Sequence, residues 1–304
     1  MPEIGIAIVT YNSESEIGAC LDAALASGAD VVVVDNASQD GTIAQIARRG
    51  ARLIANSTNR GFAGAVNQGF EALDCPYILM LNPDAVLMCG LNALREACDL
   101  EGAAGASGCL VDPGGRQTGF MVRRLPTPAA LILEVLLLNR LWPNNPVNRR
   151  YRCLDMDYSV RCAVEQPAGA FLMVRRAVWH ELGGLDERFW PVWFEDVDFC
   201  HRMKDRNYLL YYVPEAVAKH TGAHSISRIP VETRRFCWYS SLLRYTARHF
   251  GPIAFRVVSL AVAVGSILRI MADWAAGRLR VRAYGRVVRL AIGCLLFGWR
   301  DEVV

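Results

Sequence analysis

Over the first third of the chain, short β-branched runs alternate with segments of helical periodicity. Ile4–Thr10, Asp30–Asp35, 51–55 and Tyr77–Leu81 are nearly continuous in apolar residues, and 14–26, 42–48 and 62–73 between them carry helical patterns. Strands alternating with helices at this spacing predict βαβ units and an α/β fold built on a largely parallel sheet. Ligands of such sheets bind beyond the carboxyl ends of the strands. Three polar clusters stand at such ends: Thr10-Tyr11-Asn12, Asp35-Asn36-Ala37-Ser38 and Asn82-Pro83-Asp84.

Further along, Ala103–Val111 predicts a strand, and Asp112-Pro113-Gly114-Gly115 a turn that closes a hairpin with 116–122. The strongly apolar stretch 129–142 is either a buried helix or a hydrophobic lip exposed for a partner. Strands at 162–166 and 170–174 flank Pro167-Ala168-Gly169, a helix begins at Arg176 and breaks at Gly183-Gly184, and strands at 208–213 and 216–220 complete the core. Beyond Pro230 the pattern turns helical over 231–249, 253–277 and 281–299. The expected organisation is an α/β domain over 1–230, in two halves over about 1–112 and about 113–230, followed by a helical region over 231–304. In that region the longest uncharged run, 257–268, has twelve residues. A span needs about 20, so these helices are expected to lie on a membrane rather than cross it.

Composition adds compartment and partners. The chain enters a strand at once, with no basic, apolar and small-residue leader pattern, and the reading is cytoplasmic. Ten cysteines occur singly, without a Cys-x-x-Cys pair, which argues against structural zinc and a disulfide framework. A net charge of +3 is too small to argue for nucleic acid, but residues 244–300 hold ten arginines against one acid, Asp273. A basic tail with apolar stretches between its arginines points to an anionic membrane surface. The alternative is a solvated basic face or a helix that packs against protein, including a homodimer.

Trp190-Pro191-Val192-Trp193-Phe194-Glu195-Asp196-Val197-Asp198 carries the strongest chemical signal, with three carboxylates in four residues after an aromatic loop and before a helix-like run. Partial desolvation there can tune a carboxylate into a general base, although acids in a first helical turn also serve the helix dipole. Asp35, ending a strand, could accept the imide N–H of a pyrimidine. Asn59-Arg60-Gly61-Phe62-Ala63-Gly64 opens a helix with two glycines and an arginine, a pattern that lets the backbone approach an anionic group. Asp84 and a substrate diphosphate could share a hard divalent cation, with His220, or His224 nearby, as a second ligand.

This ordered set resembles the family 2 inverting glycosyltransferases of GT-A fold over about residues 4–250. It carries Thr10-Tyr11-Asn12, Asp35-Asn36-Ala37-Ser38, Asn59 to Asn67, Asn82-Pro83-Asp84, Trp190 with Glu195-Asp196, and His220. Gln166-Pro167-Ala168-Gly169-Ala170-Phe171 and Pro214 to His220 resemble the bacterial rhamnosyltransferases acting on polyprenyl-diphosphate-linked sugars. The resemblance implies a nucleotide-sugar donor, dTDP-rhamnose, with Mg²⁺ or Mn²⁺ held by Asp84 and His220. It further implies Asp196 as base, Glu195 orienting acceptor or base, and Gly169, Ala170, Trp190 and Trp193 around the sugars. Asn82 departs from the usual Asp-x-Asp metal motif and could contact sugar or ribose instead. Other donors (UDP-galactofuranose, a UDP-hexose), a sugar-1-phosphate nucleotidyltransferase and a non-catalytic membrane-associated binding protein are the competing readings.

Overall fold

The computed structural model describes residues 2–222, 229–275, 277 and 281–300. His224 lies outside the described residues. Compactness divides the chain into two units: Met1–Arg124, Met156–Pro191 and Glu195–Ser227 form the first, and Leu125–Asp155, Val192–Phe194 and Arg228–Val304 the second.

The first unit opens with β1 (Ile4–Thr10), α1 (Ile17–Ala26), β2 (Asp30–Asp35), α2 (Thr42–Ala47), β3 (Arg52–Ala55), α3 (Gly61–Ala72) and β4 (Tyr77–Leu81). β5 (Ala85–Cys89), α4 (Leu91–Cys98), β6 (Ala103–Val111) and β7 (Val122–Arg123) follow. After the excursion into the second unit come β8 (Cys162–Val164), β9 (Gln166–Pro167), β10 (Phe171–Arg175), α8 (Arg176–Leu182), α9 (Glu195–Asp205) and β11 (Leu209–His220). The main sheet runs β3-β2-β1-β4-β10-β6-β11-β5, with β8 also on β11. β3, β2, β1, β4, β6 and β11 share one direction, and β10, β5 and β8 oppose them. Every residue of β1 is buried, as expected of a parallel strand covered on both faces. Phe70 of α3 stacks on Trp179 of α8 at 3.7 Å, and Trp179 meets Phe199 of α9 at 4.8 Å, so an aromatic column holds three helices together.

Three differences from the sequence expectation have physical causes. The hairpin beyond the 112–115 turn is reduced to one bridge, Val111 to Gln117, and Val122–Arg123 pair with Gln166–Pro167 instead. The two strands expected at 208–213 and 216–220 are one strand, whose register against β6 shifts between Val213 and Val217. Pro214, which has no N–H to offer the ladder, stands in that irregularity. β5, which the pattern did not separate, pairs antiparallel with β11 at the sheet edge.

The second unit is helical: α5 (Pro128–Val135), α6 (Leu138–Leu141), α7 (Pro146–Tyr151), α10 (Val231–His249), α11 (Pro252–Ala275) and α12 (Val281–Phe297). Thr127 and Asn145 cap α5 and α7 through Ala130 N and Asn148 N, each followed by a proline at the first helical turn. The apolar stretch 129–142 resolves into both of its alternatives. Leu131 and Val135 of α5 are buried, Leu137 turns left-handed at φ +61°, and Leu141 and Trp142 beyond it are 83% and 63% exposed.

α11 revises the expectation drawn from its twelve uncharged residues. Its 24 residues are long and apolar enough to cross a membrane by length and composition, although 44% of its most apolar window is buried within the protein. Arg269, which interrupts the apolar run, donates Nη1 to the carbonyls of Val135 and Gly265, so a charge inside the helix is taken up by the unit itself. The opposite face is an apolar stripe: Ile253, Val257, Leu260, Val264, Ile267, Leu268, Met271 and Trp274 are all exposed.

The middle of the main sheet is tight. A β-carbon at Gly105 of β6 would stand 2.4 Å from the Met173 carbonyl oxygen, and one at Gly108 would stand 2.3 Å from that of Ala216. Gly105→Val is therefore expected to lose about 1–3 kcal/mol or more through overpacking, read as a lower denaturation midpoint with an unchanged m-value.

Candidate active site

Hydrogen bonds knit the loops that follow β1 and β2. Asp35 is fully buried. Its Oδ1 accepts from Thr10 Oγ1 at 2.8 Å and Ser38 Oγ at 2.5 Å, while Oδ2 accepts from Ser38 N at 2.9 Å. Asn12, left-handed at φ +51°, donates its N–H to Ser38 Oγ and accepts from Gln39 N. Asp35 thus organises this loop pair, with Tyr11 half-buried beside it.

Asn36 carries the order onward. Its amide donates to Asn59 Oδ1 at 2.9 Å and Gly61 O at 3.0 Å, and its Oδ1 accepts from Arg60 N at 2.9 Å. Gly61, at φ +77°, opens α3, and a β-carbon there would stand 2.7 Å from Trp190 Cδ1. The indole of Trp190 therefore lies on the glycine turn, and Phe62 N donates to Pro191 O at 2.7 Å. Arg60 is half exposed and 3.8 Å from Glu187, an arrangement that leaves its guanidinium accessible to an anion. Asn67 stands apart from this group, because its amide is spent on Leu185 N and O and on Glu187. There it braces the 184–187 turn.

The Asn82-Pro83-Asp84 turn begins where Asn82 N donates to Ala170 O at 3.0 Å. β5 starts immediately after it, and the register that sets Ala85 opposite His220 brings Asp84 to the histidine. His220 Nε2 lies 3.1 Å from Asp84 Oδ1, both side chains are buried, and Phe120 meets the imidazole edge-on at 5.6 Å. Neither ring nitrogen makes a hydrogen bond of acceptable geometry among the described residues. Two buried donor atoms this close without a hydrogen bond between them suit a shared divalent cation. An oxygen and an imidazole ligand are compatible with Mg²⁺ or, with better tolerance of nitrogen, Mn²⁺.

The three carboxylates at the start of α9 divide by environment. Asp198 is wholly buried and pairs with Arg202 Nε at 2.8 Å, whose other nitrogens donate to Leu182 O and Gly184 O. It holds the fold. Glu195 is 4% exposed. Asp196 keeps partial access, with Oδ2 accepting from Gly169 N at 3.1 Å and Oδ1 from Val197 N at 2.8 Å. Burial pushes the Asp196 carboxyl above the ordinary carboxylate range, against the pull of the Gly169 and Val197 N–H groups and the Arg123 guanidinium. A side chain at Gly169 would meet Asp196 Cβ at 3.1 Å, so the glycine lets the loop close on the base candidate. Just before α9, Trp193 and Phe194 are both left-handed, at φ +86° and +70°. Consecutive strained residues of this size persist only where the surroundings fix them. Phe194 packs on Trp238 and Tyr245 within the second unit.

The first unit therefore brings together Thr10, Asn12, Asp35 and Ser38. It joins Asn36 to Asn59, Arg60, Gly61, Phe62 and Trp190, and Asn82 to Ala170, whose neighbour Gly169 holds Asp196. Sequence reasoning missed Arg123 and Phe120. The available signal was the Arg123-Arg124 pair, which stands just beyond the strand expected at 116–122.

A mostly parallel sheet with polar clusters at its strand ends, a buried carboxylate and histidine pair, and a half-buried acid at the start of a following helix is the layout of a GT-A glycosyltransferase. The model for Glycosyl transferase family 2 matches residues 5–155. The N-acetylglucosaminyl-diphospho-decaprenol L-rhamnosyltransferase of Mycobacterium tuberculosis is 30% identical over 283 residues, covering 83% of this chain and 90% of its own. Rhamnosyltransferase WbbL of Escherichia coli is 26% identical over 186 residues, 60% of this chain and 66% of its own. Among solved structures, a mannosyltransferase from Pyrobaculum calidifontis in complex with GDP-Man and Mn²⁺ superposes with a TM-score of 0.54 at 16% identity, over 99% of this chain and 88% of its own. The chain belongs to glycosyl transferase family 2.

The raised pKa of Asp196 carries a pH signature. The folded state holds this proton more tightly than the unfolded chain, so its contribution to stability is present below the ordinary value of 3.8 and lost as pH rises through the folded pKa. The stability of Asp196→Asn relative to the parent should accordingly be greatest near neutrality and shrink as pH falls, measured by chemical denaturation at several pH values.

Proposed function

We propose that the protein transfers rhamnose from dTDP-rhamnose, with inversion, to a hydroxyl of a polyprenyl-diphosphate-linked sugar. The observation that carries this substrate class is the 30% identity to the mycobacterial rhamnosyltransferase across 90% of that protein. The geometry supports the chemistry. Asp196 accepts the proton of the acceptor hydroxyl as its oxygen bonds to the anomeric carbon and the bond from that carbon to the nucleoside diphosphate breaks. Gly169 N and Val197 N hold the carboxylate in place, and Glu195 supports the acceptor side. The exposed Arg60 guanidinium faces the donor diphosphate, and the 10–12 and 35–38 loops form the nucleotide side. Asp84 and His220 would hold Mg²⁺ or Mn²⁺, which when bound neutralises charge on the leaving diphosphate. Asn82, without a carboxylate, serves the sugar or ribose.

In this reading 1–230 performs the chemistry, while the 231–304 helices face the inner leaflet of the plasma membrane from the cytoplasmic side. The exposed stripe of α11 supports an interfacial apolar face, and the arginines of 244–300 supply the attraction to anionic lipid. The same stripe in a homodimer would be the competing arrangement.

Asp196→Asn should reduce turnover by about 10²–10⁴-fold while donor affinity stays close to that of the parent; retention of a third of the parent rate removes Asp196 from the role of base. A panel of dTDP-rhamnose, UDP-galactofuranose and UDP-hexoses with lipid-linked acceptor, read as nucleoside diphosphate release, tests the donor. Asp84→Ala or EDTA should weaken donor binding in calorimetry, and unchanged affinity in both would mean that the protein works without metal. The full chain should co-sediment with phosphatidylglycerol vesicles at low salt. Exchange of Leu260 and Ile267 for Asp should abolish this, whereas a shift from dimer to monomer in the same variant would identify the stripe as a subunit interface.

A further inference from the structure

The reaction described above leaves unused a cavity of about 670 Å³ that lies wholly within the second unit. Three guanidiniums line it, those of Arg140, Arg152 and Arg269, against one carboxylate, Glu134. That carboxylate is already engaged: Glu134 Oε2 accepts from Arg152 at 3.3 Å and from Asn139 Nδ2 at 2.9 Å. Arg269 is fixed to the wall by its Nη1 bonds to two main-chain carbonyls, and these neutral acceptors leave its charge uncancelled. Arg140 is exposed, and its guanidinium forms no ion pair among the described residues. Two arginine charges without counter-charge therefore face a space large enough for a diphosphate and a first sugar. Planar guanidiniums are suited to the bidentate recognition of phosphate oxygens.

The borders of the cavity identify the rest of the ligand. Leu137 and Leu154 line it, and Arg140 is followed directly by Leu141 and Trp142, which are 83% and 63% exposed. A free phosphate ester would gain nothing from such a border, whereas a diphosphate carrying an apolar chain would bury it. We infer that this cavity is a second anion site that takes the diphosphate of a polyprenyl-diphosphate-type lipid, with the start of its apolar chain beside Leu141 and Trp142. The inference rests on the acceptor class proposed above and extends it to residues outside the Asp84, Asp196 and His220 cluster.

The test is calorimetry on the full chain in EDTA and saturating dTDP, which together silence the donor diphosphate site, with farnesyl diphosphate and inorganic pyrophosphate as probes. Farnesyl diphosphate should bind, at least tenfold more tightly than pyrophosphate, and Arg140→Glu should weaken it at least tenfold. Arg150→Glu, an equal charge change at an exposed arginine that does not line the cavity, should leave the affinity within twofold. Equal affinity in the parent and Arg140→Glu overturns the site, as does equal weakening by Arg150→Glu, which would reduce the effect to net charge. Pyrophosphate binding as tightly as farnesyl diphosphate overturns the lipid-carrier assignment in favour of a free phosphate ester. The titrations are repeated with saturating UDP in place of dTDP, and the same outcome in both separates this inference from the choice of donor. Loss of farnesyl diphosphate binding with rhamnosyl transfer undiminished would overturn this inference alone.

Discussion

The antiparallel pairing of β5 with β11 sets the one close carboxylate–imidazole pair among the described residues of the sheet's carboxyl end. β4 delivers the Asn82-Pro83-Asp84 turn to the carboxyl end of the parallel sheet, where many α/β enzymes place their ligands. That alone leaves Asp84 a single carboxylate. Because the chain then reverses into β5 and registers Ala85 against His220, the carboxylate gains an imidazole neighbour from far along the sequence. The same turn hands its first N–H to Ala170, and the loop holding Ala170 also holds the base candidate through Gly169. One main-chain hydrogen bond and one from a main-chain N–H to a carboxylate thus link these parts, both made by the loop just before β10.

Environment, more than residue type, assigns roles to neighbouring acids. Asp196 and Asp198 lie two positions apart on one helix. Asp198 is enclosed with Arg202 and two carbonyls that hold the guanidinium; breaking such a buried pair from one side costs about 3–5 kcal/mol. Among the described residues Asp196 has main-chain donors and a more distant arginine, and burial raises its proton affinity against them. One is locked by an ion pair, and the other is left able to exchange a proton.

The parallel half of the sheet was legible because fully buried strands read as unbroken apolar runs: β1, β2, β4 and β6 fall where the pattern put them. The polar clusters at their ends were legible for the same reason. β5 was not, since Ala85 to Cys89 follows β4 after only a three-residue turn and its partner is set by tertiary pairing rather than by local periodicity. Nor could spacing separate Asn67, spent on the 184–187 turn, from Asn59 and Arg60, which border the crevice. Asp198 looked like Asp196 until the carbonyls of Leu182 and Gly184 were seen to complete the setting of Arg202. Side-chain roles that depend on who else is buried nearby have no signature in a single sequence.

The saturation of Asn36 reaches beyond the crevice. Asn36-Ala37-Ser38 matches the acceptor pattern for N-linked glycosylation, as does Asn56-Ser57-Thr58. Asn36 is 2% exposed, and its amide nitrogen already makes two hydrogen bonds; the amide of Asn56 is bound to Gln68. A glycan on either would have to be attached before folding, and on Asn36 it would remove a donor that the glycine turn needs. Passage through a eukaryotic secretory pathway would therefore be incompatible with assembly of this site, and production of the active protein in such hosts calls for a compartment without oligosaccharyltransferase.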